Sequence, residues 1–282
     1  MSGHAPSEPA SHEVELVVAA QRGDRGAFDR LFAPAVTKLR GVLQRMVGHP
    51  DEVDDLAQQA LLRAYESIAG FERRSSASTW LCAIGARLAI DHLRAQQRWR
   101  AQAQSIFAAR ALESEAIGGD VAQAMGHPDY AFDVREHIAY CFTCVGRSLE
   151  PEAQAALILR DVLEMSNDEA ARALGLTGSV LRHRLTQARS DMQTRFEGLC
   201  SLVGKQGLCY QCAGLREVSP EGKRGQPPPE QLDWPRRLQV VREAALCEGS
   251  ARALHEVFFR HTTVQEAERL GDDDAQTTCG KP

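Results

Sequence analysis

Apolar residues recur along most of this chain at the spacing of three or four positions that is typical of helices, and no run alternates as a strand does. The helices that this pattern predicts cover, in chain order, residues 13–21, 24–46, 50–70, 79–100, 131–145, 150–162 and 166–195. The chain is therefore predicted to be all-α. Residues 101–130 lack a periodic apolar signal and contain glycine and proline breaks, so they are predicted to form a linker between two helical domains.

The densest helical stretch, Ser166 to Arg195, consists of two helical patterns separated by a turn. Gly175 can adopt the left-handed conformation that ends a helix, and Thr177 can cap the next one. Four residues of the second helix are predicted to pack inward, namely Leu181, Leu185, Ala188 and Met192. The pattern indicates a helix-turn-helix, and the alternative is a basic, solvated surface helix.

The outward face of that second helix combines polar and basic side chains. The residues that we expect to face base edges in a DNA major groove are Ser179, Arg182, His183 and Gln187, and those expected to reach phosphates are Arg184 and Arg189. Arginine and glutamine can each make paired hydrogen bonds to a base edge, which is what sequence recognition requires.

Two helices of the first predicted domain also carry polar faces. The helix that begins at Pro50 exposes Asp55, Gln58 and Arg63, a set too rich in acid and amide groups to bind phosphate, so it is either a protein-docking face or ordinary surface. Before the next helix comes a loop that contains Arg73 and Arg74. One face of that helix carries an aromatic ring together with charged groups, namely Trp80, Arg87, Asp91 and Arg94. Such a face suits an unpaired base, although a tryptophan there also fits a core.

The length, composition and charge of the chain exclude several classes of protein. With 282 residues and 43% hydrophobic content, the chain is long enough for two small domains, and its net charge of −5 means that any nucleic-acid binding must depend on local basic faces. No run of about 18 apolar residues and no signal peptide occur, which predicts a cytoplasmic protein without a membrane span. No phosphate-binding glycine loop or catalytic triad is present, so we do not expect an enzyme.

Two C-x-x-C pairs suggest a metal. Cys141 and Cys144 precede the helix-turn-helix, Cys209 and Cys212 follow it, and Cys200 could replace one of the four. Four thiolates in two pairs suit tetrahedral zinc, but the pairs are much further apart than in a zinc finger. The alternative is that Cys141 and Cys144 pack as small buried residues.

Two stretches of the chain resemble regions of a known protein family. DEVDDLAQQALLRAYESIAGFERRSSASTWLCAIGARLAIDHLR resembles region 2 of bacterial sigma factors, and SLEPEAQAALILRDVLEMSNDEAARALGLTGSVLRHRLTQAR resembles region 4. Their order, with a short segment between them, is similar to the extracytoplasmic-function group of the sigma-70 family. The implied domains are a disordered start at 1–12, region 2 at 13–100, a linker at 101–130, region 4 at 131–198 and a cysteine-containing regulatory extension at 199–282.

The resemblance implies a function and partners. A sigma factor binds core RNA polymerase and directs it to promoter DNA, and an anti-sigma factor is a further partner that the family allows. Asp55, Gln58 and Arg63 would then face polymerase, while the loop of Arg73 and the helix of Trp80 would meet the −10 element. Ser179, Arg182, His183, Arg184 and Gln187 of the second domain would meet the −35 element. The alternative function is a stand-alone helix-turn-helix regulator with a metal or thiol-redox sensor.

The segment after the second domain is predicted to contain a linker and two amphipathic helices. Residues 220–229 are rich in proline and glycine, and the helical patterns cover residues 232–246 and 250–270. Two such helices cannot bury a core by themselves, so we expect them to dock on the other domains or on a partner.

Overall fold

The computed structural model describes residues 11–96, 114–202, 210–227 and 233–244, together with residues 253, 256 and 257. All regular structure in these ranges is helical, as predicted. The helices are α1 (Ser11–Gln21), α2 (Arg25–Met46), α3 (Pro50–Ser67), α4 (Ala77–Gln96), α5 (Glu115–Gly126), α6 (Val134–Gly146), α7 (Pro151–Leu157), α8 (Asn167–Leu174), α9 (Gly178–Leu202), α10 (Tyr210–Val218) and α11 (Trp234–Glu243). A 3₁₀ turn (Ile68–Gly70) follows α3, and a π turn (Ile158–Val162) extends α7.

Helices α1 to α4 form the first domain, with α2 at its centre. The side chain of Asp24 caps α2 by accepting a hydrogen bond from the backbone N–H of Ala27, at 3.0 Å. Helix α4 lies close against α2 because Gly85 has no side chain; a Cβ there would lie 2.3 Å from Cδ1 of Leu39. The core between these helices includes the fully buried Phe32, Leu39 and Leu81.

Helices α6 to α9 form the second domain, and its core is continuous with that of the first. Phe142, Leu157 and Leu181 are buried within one apolar cluster that also contains the core of the first domain. Helix α4 packs on α7 and α8, and α2 packs on α6. Across this contact the side-chain amide of Gln154 donates a hydrogen bond to the backbone oxygen of Arg45, at 2.9 Å. The two domains are therefore in direct contact.

The predicted linker differs from the structure in its second half. Residues 115–126 form a helix, α5, in which Gly118 and Gly119 lie inside the helix instead of breaking it. A small apolar cluster explains this, because Ile117 and Met125 of α5 pack with Tyr130 and with Leu215 of α10. Packing against the extension thus outweighs the low helix propensity of glycine. Residues 97–113 lie outside the described residues.

The described residues of the extension contact both domains. Residues after α10 run beside the start of the second domain, where the backbone N–H of Phe132 donates to the carbonyl of Lys223 at 2.8 Å. Gly225, at a positive φ of 54°, passes so close that a Cβ would lie 1.9 Å from the oxygen of Phe132. Helix α11 packs on α6 and on the π turn. The predicted helix at 232–246 is thus confirmed over Trp234–Glu243, helix α10 was not predicted, and most of 250–270 lies outside the described residues.

In the described part of the chain, no helix is both long and apolar enough to cross a membrane.

Candidate nucleic-acid and polymerase interfaces

The turn between α8 and α9 has the left-handed glycine and the threonine cap that the sequence predicts, and α8 itself begins with a capping box. Ser166 and Glu169 form a reciprocal capping box at the start of α8, with the backbone N–H of Glu169 donating to Oγ of Ser166 at 3.2 Å. Gly175 ends α8 at φ 66° and ψ 30°, in the left-handed region. Oγ1 of Thr177 accepts a hydrogen bond from the N–H of Val180 at 3.3 Å, which caps α9. The two helices therefore form a helix-turn-helix.

Helix α9 has the two faces expected of a recognition helix. Its buried side is the predicted one, with Leu181, Leu185, Ala188 and Met192 in the core. Its outer side exposes Ser179, Arg182, His183 and Gln187. The amide of Gln187 donates to Oδ1 of Asp191 at 2.8 Å, which orients it along the helix. Arg184 is half-buried at the edge of this face.

Arg189 holds α9 to the rest of the second domain. Its Nε and Nη2 donate to the two carboxylate oxygens of the buried Asp161, at 2.8 and 2.6 Å. This pair of hydrogen bonds raises the pKa of Arg189. The predicted phosphate-reaching guanidinium is thus directed at the π turn of its own domain.

The face of α4 predicted to meet an unpaired base lies at the contact between the domains. Trp80 is half-buried, and its ring centroid lies 4.8 Å from that of Phe71 and 6.1 Å from that of Phe32. Arg87 donates to the backbone oxygens of Ala173 and Arg172, and Arg94 forms an ion pair with Glu152. Asp91 is exposed. In this arrangement the two arginines contact the second domain.

The basic loop before α4 borders a cleft. Arg73 adopts a positive φ of 56°, and Arg74 pairs with Glu72 at 2.5 Å. The cleft, of about 200 Å³, lies between this loop, the ring of Trp80 and the exposed Arg172 of α8. It separates the predicted −10 side of the first domain from the helix-turn-helix.

The outer face of α3 includes two exposed apolar side chains that were not predicted from the sequence. Asp55, Gln58 and Arg63 are exposed, as expected. Beside them Leu62 is 63% exposed and Tyr65 is 45% exposed. Both lie on the stripe of Asp55 and Gln58, at the fourth and seventh positions after Gln58, so helical periodicity could have found them. This face therefore combines apolar, acidic, amide and basic groups, a mixture that also occurs at protein–protein interfaces.

The cysteines predicted to bind zinc are only partly described. Cys141 is half-buried and Cys144 is buried on α6, and burial raises the pKa of the Cys144 thiol. Cys212 lies on α10, which packs on α6, but its side chain, that of Cys200 and all of Cys209 lie outside what the structure describes. Among the described residues, no three histidine, cysteine or acidic side chains come together as metal ligands do.

These elements define an all-helical protein in which a helix-turn-helix domain packs on a second helical domain. The sequence model of Sigma-70 region 2 matches residues 31–99, and that of Sigma-70 region 4 matches residues 142–192. Residues 31–99 and 142–192 thus match the two sigma-70 regions in order, and the curated proteins that the chain resembles include extracytoplasmic-function (ECF) RNA polymerase sigma factors.

Two curated relatives and one solved structure illustrate the similarity. The ECF RNA polymerase sigma factor SigG of Mycobacterium tuberculosis is 29% identical over 180 residues, covering 60% of this chain and 49% of that protein. The chain thus spans about half the length of SigG. The RNA polymerase sigma-H factor of Pseudomonas aeruginosa is 28% identical over 186 residues, covering 66% of this chain and 94% of that protein. The structure of CnrH in complex with the cytosolic domain of CnrY aligns at 21% identity and a TM-score of 0.44, covering 67% of this chain and 99% of that chain.

Proposed function

We propose that this chain is a non-catalytic transcription initiation factor that binds core RNA polymerase in the cytoplasm and directs it to specific promoters. The observation that carries the proposal is the outer face of α9. Arg182, His183 and Gln187 are exposed side by side on a capped helix-turn-helix, within a chain that has both sigma regions in order. The −35 element is the proposed target of this face.

The first domain supplies the other two contacts in this proposal. The exposed stripe of Asp55, Gln58, Leu62 and Arg63 on α3 is the proposed polymerase-binding surface. The loop of Arg73 and Arg74, with Trp80, Arg87, Asp91 and Arg94 of α4, is the proposed −10 side. An aromatic ring next to guanidinium groups suits a strand whose bases are unstacked.

We further propose that the extension modulates this activity. Its support is that α10 packs on α6 and on the linker helix α5, while α11 packs on the second domain. These contacts place the extension against the domain that carries α9, which supports the proposal.

Run-off transcription with core polymerase and a library of genomic promoters tests the function. We expect a defined subset of promoters to be transcribed only when this protein is added. Specific binding of duplex DNA in the absence of core polymerase, with no transcription in its presence, would instead indicate a stand-alone helix-turn-helix regulator.

A further inference from the structure

Helix α11 of the extension packs into the second domain through aromatic contacts. The ring centroid of Trp234 lies 6.1 Å from that of Phe142 and 6.3 Å from that of Phe196. The guanidinium carbon of Arg237 lies 3.8 Å from the ring centroid of Phe196, within the range of a cation–π interaction. These contacts attach the first two turns of α11 to α6 and α9.

The other end of α11 is held by the first domain. Arg45, on α2, is 7% exposed, and its Nη2 donates to the backbone oxygens of Val241 at 2.6 Å and of Ala244 at 3.2 Å. Carbonyls at a helix C-terminus lack partners within the helix and carry partial negative charge, so a guanidinium is well placed there. The last turn of α11 is thus bound to a residue almost 200 positions earlier in the chain.

A third contact returns α11 to the second domain. Nε of Arg242 donates to the backbone oxygen of Asp161 at 2.7 Å, and the guanidinium pairs with Glu164 at 3.1 Å. Asp161 is the same residue that binds Arg189 of the recognition helix. Helix α11 therefore bridges α2 of the first domain to the π turn that anchors α9.

We call the arrangement in which the two domains pack directly on each other the closed arrangement. In this arrangement the protein is too small for its two domains to contact two separate promoter elements at the same time. Elements named −35 and −10 lie about 25 positions apart, which is roughly 85 Å along straight B-form DNA at 3.4 Å per base pair. A compact body of about 190 residues is only roughly 40 Å across. In the closed arrangement, moreover, Arg87 and Arg94 of the proposed −10 side are bonded to α8 and α7.

We propose that α11 is an internal strap that holds the two domains closed, and that core polymerase and promoter DNA bind productively only after the strap is released. This inference rests on the proposed function. The strap suits reversible release because it is short, and only Arg237, Leu238 and Val241 of its ten residues are buried. When α11 leaves its site, the apolar surface that becomes exposed is small compared with the apolar surface that stays buried in the cores of the two domains.

The test compares strap variants with a matched control in the full-length chain. The strap variant combines Trp234→Ala with Arg242→Ala, which removes the aromatic contact and the contact with Asp161. Because Arg242 is exposed, Arg242→Ala alone is a milder second variant that should keep its fold. Arg236→Ala is the control, since it removes the same charge from an exposed position of the same helix. Circular dichroism checks that all chains are equally helical.

Two quantities are measured for each chain, the radius of gyration by small-angle X-ray scattering and the concentration that gives half-maximal transcription with core polymerase. We expect the strap variant to have a larger radius and a half-maximal concentration lower by about tenfold, because apparent affinity scales with the fraction of competent molecules. Arg242→Ala should change both in the same direction and less, and Arg236→Ala should match the wild type.

Contrary outcomes separate the two proposals. If all chains transcribe equally well and have equal radii, the strap is overturned and the sigma-factor function stands. If the radius increases without any change in half-maximal concentration, α11 holds the domains together but does not oppose initiation, which also overturns the inference. If the strap variant has a larger radius of gyration but no chain transcribes with core polymerase, the proposed function is wrong. The regulatory role of the strap, which depends on that function, is then wrong as well.

Discussion

Nε of Arg87 on α4 lies 2.5 Å from the backbone oxygen of Ala173, at the last turn of α8. Nη2 of the same side chain donates to the oxygen of Arg172 at 2.9 Å. An arginine of the first domain thus caps the C-terminal end of the first helix of the helix-turn-helix, where carbonyls lack helical partners. The side chain proposed to meet promoter DNA is therefore bound to the helix-turn-helix domain in this structure.

Replacing Arg87 by alanine should loosen the contact between the domains. The two hydrogen bonds involve a charged donor, but Arg87 is exposed, so we expect the free energy of unfolding to fall by only about 1 kcal/mol. Urea denaturation followed by circular dichroism measures this loss. Arg63→Ala, at an exposed position of α3, is the control, and equal stability of the two variants would show that the Arg87 contact contributes nothing.

Substitutions on the outer face of α9 should change promoter preference. Arg182→Ala and Gln187→Ala should each reduce discrimination between −35 sequences by about 1–3 kcal/mol, the range for a lost base contact, without weakening core binding. Competitive transcription from promoters that differ only in the −35 element measures this.

The control for the recognition face is Gln193→Ala. Gln193 is exposed on the same side of α9 as Arg182, but eleven residues further along, which is about 16 Å and beyond the reach of the same base pairs. Unchanged preference in Arg182→Ala and Gln187→Ala, or an equal change in Gln193→Ala, would show that α9 does not read the −35 element through these residues.

The helix-turn-helix could be predicted in detail because its determinants are local. The left-handed position of Gly175 and the buried stripe of Leu181 and Leu185 both depend on residues within a few turns of one another. Helical periodicity predicts which of these nearby residues share a buried face, and the capping residues predict where each helix begins and ends. For the same reason the predicted bounds of α2 and α3 agree closely with the structure.

The contacts between domains could not be predicted, since they join residues that are far apart in the chain. Periodicity showed that Arg87 and Arg94 share one exposed face of α4, but an exposed basic face can meet solvent, DNA or another domain equally well. The burial of Arg45 had no local signal, because its partners Val241 and Ala244 belong to the extension. Helix α5 was missed because its stability depends on packing with Leu215.

The outer stripe of α3 should bind polymerase through charge and apolar contact together. Asp55→Arg should reduce holoenzyme formation, and Leu62→Ala should reduce it at unchanged stability because Leu62 is 63% exposed and loses no buried contact. Affinity for core polymerase is measured by fluorescence anisotropy. Asp29→Arg makes the same charge reversal at an exposed position of α2, so the prediction requires that Asp29→Arg bind normally. If both α3 variants bind core polymerase normally, the outer stripe of α3 is not the polymerase-binding surface.

Stability should decrease in mild acid because of His137. This side chain is buried and stacked on Phe132, with ring centroids 4.7 Å apart, and desolvation lowers its pKa from 6.5 to about 4. A histidine with a lowered folded pKa favours the folded state when neutral, so its contribution is complete above pH 6.5 and is lost as the pH falls toward 4. The free energy of unfolding should drop by up to about 3 kcal/mol over this window.

The pH dependence is measured by urea denaturation at several pH values between 7 and 4. His137→Phe keeps a stacked ring without the titrating group, so its stability should depend less steeply on pH than that of the wild type. His183→Phe, which replaces an exposed histidine on α9, should retain the wild-type slope. Equal slopes in all three chains would exclude His137 as the source.

The zinc prediction depends on whether the two cysteine pairs meet. Helix α10, which carries Cys212, packs on α6, which carries Cys141 and Cys144, so the two elements are neighbours. Against this, Cys144 is buried and its pKa is raised, whereas zinc requires thiolate ligands. A bound ion would therefore have to lower that pKa by its own charge, and binding would release protons.

Metal analysis of protein purified without chelators measures the outcome. If the four cysteines Cys141, Cys144, Cys209 and Cys212 hold one ion, the wild type should contain one zinc per chain, and the double variant Cys209→Ser, Cys212→Ser should contain none. Cys82→Ser is the control, because Cys82 is buried on α4 with its pKa raised to about 11, and this substitution should leave the zinc content unchanged. Substoichiometric zinc in the wild type, or full zinc in the double variant, would make Cys141 and Cys144 packing residues of α6. The extension would then be attached without a metal, through the contacts that the structure describes for residues 210–227 and for α11.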